Sequence, residues 1–126
     1  MRAIVDGQPQ ARAWLTAIEA GDVQAVAPVL VHAEVANALR KYALGRDLPA
    51  AAAGERLSLT LGLPLTIVPS RILARQALAL AVTRGVSAYD GLCLALALGF
   101  DATLVTADRR LVAAAAGARV ELLPPV

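Results

Sequence analysis

Four short strand-like runs, none longer than four residues, alternate with helical stretches along this chain, and that alternation limits what it can fold into. The clearest run is Leu65–Val68 (LTIV), β-branched and bounded by Pro64 and Pro69, which a central strand does not tolerate. Residues 24–27 (QAVA, closed by Pro28), 102–105 (ATLV) and 119–122 (RVEL) read the same way. Between them, residues 8–20 set Ala11, Trp14, Leu15 and Ile18 at helical spacing. Further helices are predicted over 29–44, ending at Gly45, and over 48–61, with Asp47 as cap and Pro49 in the first turn. Ser70 is the expected cap of a helix to Arg84, and Ser87 of one to Gly99, with a last helix over 109–116. Apolar strands separated by helices indicate a parallel sheet covered on both faces. Such folds normally open with a buried strand, and the only material for it here is Ala3-Ile4-Val5.

At 126 residues the chain is expected to form one domain over 1–126, large enough for a core of its own. Its hydrophobic content of 58% and mean hydropathy of +0.62 raise the question of a membrane span. The longest uncharged run, residues 57–70, has 14 residues and is broken by two prolines, too short to cross a bilayer. No signal peptide is visible, so the expected location is the cytoplasm. Cys93, the one cysteine, has no partner for an internal disulfide and reads as a small core residue. A net charge of +2 does not by itself announce a nucleic-acid protein. Eleven arginines against one lysine suit phosphate contacts, but a GC-rich genome gives the same bias. The apolar excess in so small a domain points to surface covered by a partner.

Three carboxylates interrupt apolar segments: Glu34 in VHAEVANAL, Asp90 in SAYDGLCLALA and Asp108 in LVTADRRL. Each has a local explanation. Asp90 completes a capping box with Ser87, Asp108 caps the helix starting at Arg109, and Glu34 complements a helix N-terminus. Taken together, they have another. Asp108 follows the strand ATLV and Glu34 lies soon after QAVA, and open parallel sheets build sites beyond the carboxyl ends of their strands. Carboxylates gathered there repel one another unless a cation holds them. An all-oxygen ligand set suits Mg²⁺ or Mn²⁺ rather than zinc.

AEVANALRK, SAYDGLCLALA and LVTADRRL, in this order and spacing, resemble the signatures of PIN-domain ribonucleases of the VapC toxin type, over residues 8–123. The resemblance implies a three-layer α/β/α PIN-like fold with a five-stranded parallel sheet, and Mg²⁺- or Mn²⁺-dependent cleavage of RNA. It also implies a cognate antitoxin packed into a groove of the toxin. The family's acids map onto Glu34, Asp90 and Asp108 as catalytic metal ligands, with the Thr106 hydroxyl beside them. Arg109 and Arg110 are candidate phosphate contacts, and a homodimer is expected.

The front of the chain departs from the family, which opens with a central strand ending in a ligand Asp. Here Asp6 precedes Glu34 by only 28 positions, about ten fewer than the family spacing, and is followed by Gly-Gln-Pro. The expectation is that this strand and its Asp lie upstream of Met1, as a misassigned start codon would produce. The rival is a shortened first strand ending at Asp6. His32, the only histidine, excludes a two-histidine ribonuclease mechanism and reads as structural. The leading expectation is a toxin-type endoribonuclease. The alternative is a catalytically degenerate PIN-like module that binds an antitoxin or RNA without cutting, and the third reading is an α/β domain with three unrelated caps.

Overall fold

The computed structural model of the chain describes residues 9–124. Its elements run α1 (Pro9–Ala20), β1 (Ala25–Pro28), α2 (Val31–Leu44), α3 (Ala50–Leu61), β2 (Leu65–Val68), α4 (Ser70–Arg84), α5 (Ala88–Gly99), β3 (Thr103–Thr106), α6 (Arg109–Ala113) and β4 (Arg119–Leu122). This is the expected mixed α/β class, helices alternating with four-residue strands. The described strands form two pairs, β1 with β2 and β3 with β4. The segment Ala3–Asp6, which the rival reading takes as a shortened first strand, lies outside the described residues. Two compact units are distinguished, residues 9–25 with Leu30–Thr66, and Val26–Val29 with residues 67–124.

The first unit is helical. Proline at the first position of α1 has its φ already set for a helix, and Gly21 ends that helix at φ +78°, a region glycine enters without strain. On α2, Val31, Val35, Leu39 and Tyr42 recur on one face. Val35 and Leu39 are buried with Leu48, and Leu15, Val31, Tyr42, Ala52, Ala53, Leu57 and Leu63 pack around them. Burial of each large aliphatic side chain contributes roughly 1.5–3 kcal/mol. Thr60 is buried yet satisfied, its hydroxyl donating to the Arg56 carbonyl at 3.1 Å. Asp47 is not the cap of α3. That helix begins at Ala50 behind Pro49, and the Asp47 N–H instead donates to the Tyr42 carbonyl at 3.0 Å, closing the end of α2.

The second unit is built around α5, whose residues Gly91, Leu92 and Leu94 to Ala97 are all buried. Leu92, Ala95 and Leu96 pack with Val68, Leu73 and Ala77, while Leu94 packs with Leu111 and Ala115. A helix with a core on two sides must be apolar nearly all round, which accounts for the run LCLALAL. β3 and β4 are parallel, in register from Thr103↔Arg119 to Thr106↔Leu122. Ser70 does not cap α4; Pro69 stands at that position and no side chain caps the helix. The last helix stops at Ala113, three residues short of expectation. The reason is Arg84, whose guanidinium donates to the carbonyls of Ala114 (2.9 Å) and Ala116 (2.8 Å) and so fixes the turn that ends α6.

No single described helix is long and apolar enough to cross a membrane; α4 and α5 pass only as a pair bent by 111°. Loss of the Arg84 bonds leaves two carbonyls without their charged donor. Arg84→Met is expected to lower the unfolding free energy by about 1.5–3 kcal/mol, read by urea denaturation. A loss below about 0.5 kcal/mol would mean that water replaces the guanidinium without cost.

Candidate functional site

Asp90 sits in the first turn of α5, half-buried. The Ser87 hydroxyl oxygen accepts the Asp90 N–H at 3.1 Å, and the Gly91 N–H donates to the Ser87 carbonyl at 2.9 Å. Only half of the expected capping box forms. The Asp90 carboxylate does not return to the Ser87 N–H and has no hydrogen-bond or ion-pair partner among the described residues. An acid kept in an apolar helix without that bond is not explained by capping.

Asp108 is different. Its Oδ1 accepts the Arg110 N–H at 2.8 Å, a side-chain cap on α6, so the local explanation holds for one oxygen. Thr106, the last residue of β3, accepts the Asp108 N–H on its hydroxyl at 3.1 Å. The Thr106 carbonyl in turn accepts the Leu123 N–H at 2.7 Å, joining this corner to the end of β4. Asp108 is thus fixed by two bonds, while its Oδ2 makes none among the described residues. Arg109 and Arg110 open α6 with exposed side chains.

Glu34 lies in the first turn of α2, exposed, and belongs to the other unit; His32 beside it is half-buried. Among the described residues no three of His, Cys, Asp and Glu gather closely enough to hold a metal ion. Asp6 falls outside those residues. Asp90 and Asp108 both belong to the second unit, and three of their four carboxylate oxygens have no hydrogen-bond partner among the described residues; oxygen donors of this kind suit Mg²⁺ or Mn²⁺.

Sequence reading missed a cleft of about 320 Å³ in the first unit, lined by Leu15, Glu19, Ala52, Glu55, Arg56, Leu59 and Leu63. Its signal was present as Ala52, Glu55, Arg56 and Leu59, which share one face of α3 at helical spacing.

The two acids make different stability predictions in metal-free buffer. Asp108→Ala is expected to cost about 0.5–2 kcal/mol and Asp108→Asn much less, because asparagine also caps. Asp90→Ala is expected to cost less than about 0.5 kcal/mol, since no capping bond is lost. Denaturant unfolding of the three variants checks this, and a full cap penalty at Asp90 would restore the capping-box reading.

Comparison with individual curated proteins gives no match. Comparison with protein families matches the PIN domain over residues 1–117. PIN domains are generally nucleases that use divalent metal ions. With the match spanning most of the sequence, the chain belongs to the PIN-domain family.

Proposed function

We propose that this chain, acting as one PIN-like domain over 1–126, is a metal-dependent endoribonuclease of the VapC toxin type working in the cytoplasm. The observation that carries it is Asp90: a half-buried carboxylate in an otherwise apolar helix, with no partner for either oxygen among the described residues. Asp90 and Asp108 are the metal ligands, Glu34 joins them directly or through water, and the metal is Mg²⁺ or Mn²⁺. When bound, such an ion lowers the pKa of a coordinated water and neutralises charge on a phosphodiester under attack. The chain's own part is positional. Ser87 fixes the backbone of Asp90, while Thr106 and the cap to Arg110 fix Asp108 at both its N–H and Oδ1, so that only the Asp90 side chain is left to be ordered on binding. Arg109 and Arg110, exposed at the start of α6, contact the RNA phosphates.

A cognate antitoxin protein is the proposed partner, with a segment seated in the α1–α3 cleft. A lining of four apolar residues with Glu19, Glu55 and Arg56, acidic on balance, favours a segment carrying both apolar and basic side chains. Exposed Ile72 (70%), Leu78 (65%) and Val82 (74%) on α4 support a homodimer. The degenerate-module reading keeps one specific support, that no three described acids converge on a metal.

Cleavage of a mixed RNA substrate separates the two readings. The nuclease is expected to cut with Mn²⁺ or Mg²⁺, to stop on addition of EDTA, and to lose about a hundredfold or more activity in Asp90→Asn and Asp108→Asn. That magnitude follows because disturbing groups merely behind a ligand already costs 10–100-fold. Binding of RNA without any cleavage would favour the degenerate module. For the partner, Leu59→Asp in the cleft is expected to abolish co-purification with the protein encoded by the adjacent small gene while leaving RNA cleavage intact. Undiminished co-purification would exclude the cleft as its seat.

A further inference from the structure

Gly91 is buried in the first turn of α5, next to Asp90. Glycine inside a helix costs about 1 kcal/mol relative to alanine, so its presence there calls for a physical reason. That reason lies on α4. A Cβ added at Gly91 would run into the Ala77 carbonyl oxygen, and would stand 3.1 Å from the carbonyl carbon and 3.3 Å from the Cα. These are backbone atoms, which do not swing aside as a side-chain tip does. Ala77 is itself only 3% exposed, held with Leu73, Leu92, Ala95 and Leu96 in one packed cluster. At this point α4 and α5 meet main chain to main chain.

We propose that Gly91 is a positioning residue for Asp90, an inference that rests on the reading of Asp90 as a metal ligand. The Asp90 carboxylate makes no bond among the described residues, so the backbone is what sets the region its oxygens can reach. Two contacts fix that backbone: the Ser87 hydroxyl on the Asp90 N–H, and the close approach of Gly91 to Ala77. A methyl group at position 91 forces the first turn of α5 off α4 and carries Asp90 with it. Misplacement of a reacting group by about 1 Å is enough to cost orders of magnitude in function.

The test compares Gly91→Ala with Leu96→Val, which loosens the same cluster at the far end of α5. Two quantities are read on the full chain: the Kd for Mn²⁺, and amide hydrogen exchange at Asp90 relative to Ala95 in the same helix. Gly91→Ala is expected to weaken Mn²⁺ binding about tenfold or more and to speed exchange at Asp90 selectively, as its bond to Ser87 lengthens. Leu96→Val is expected to leave the Kd and the exchange ratio unchanged. Equal effects of both variants, or no effect of Gly91→Ala on either quantity, would overturn the proposal. A wild-type chain that binds no Mn²⁺ removes the ligand reading, and the exchange ratio then decides alone whether Gly91 sets the place of Asp90. Should Gly91→Ala not fold, Ala77→Ser, which enlarges a residue of the cluster packed at this crossing, is read in the same two ways.

Discussion

The contact between α4 and α5 at Ala77 and Gly91 governs the second unit. Because no side chain intervenes there, the two helices approach closely enough for Leu73, Leu92 and Leu96 to close over one another as a single cluster. The other side of α5 carries Leu94 against Leu111 and Ala115, with Leu104 and Val120 of the β3–β4 pair beside them. One helix therefore connects both apolar clusters of this unit, and its first turn carries Asp90. The buried length of α5 gives that first turn, and with it the Asp90 backbone, a rigid base.

Asp90 and Asp108 show how differently two acids of similar local sequence can be used. Each lies at the start of a helix, where a carboxylate gains from the exposed N–H groups. Asp108 takes that gain through Oδ1 and keeps one oxygen uncommitted. Asp90 leaves the capping role to Ser87, and neither of its oxygens is taken by another described residue. A cap contributes about 0.5–2 kcal/mol, whereas a ligand at a hundred times its Kd contributes about 2.7 kcal/mol to the folded chain. The second exceeds the first, so keeping Asp90 uncapped costs little if a metal binds there.

Much of this was legible in the sequence because short strands and helices leave strong local marks. LTIV between prolines and RVEL near the end became strands at the expected bounds, and Ser87 and Asp108 became caps as read. The errors lie where tertiary contacts override a local signal. Asp47 had the right residue type for a cap but was drawn into the turn after α2, and 114–116 left the last helix because Arg84 takes carbonyls there. The acids were legible as interruptions of apolar runs, but whether Asp90 reaches back to Ser87 depends on side-chain geometry that no spacing encodes. Gly91 carried a signal of its own, a helix breaker inside a helix, whose cause lies fourteen residues away at Ala77.

On the proposed reading, Asp90 and Asp108 act together on one divalent ion. Isothermal titration of Mn²⁺ into the wild type, Asp90→Asn, Asp108→Asn and the double variant tests it directly. Shared ligation predicts one site per chain, lost or much weakened in either single variant, with the double variant losing little more than one of them, because the two changes remove the same site. Equal Mn²⁺ affinity in all four proteins would contradict the claim and leave Asp108 as a helix cap and Asp90 without a role.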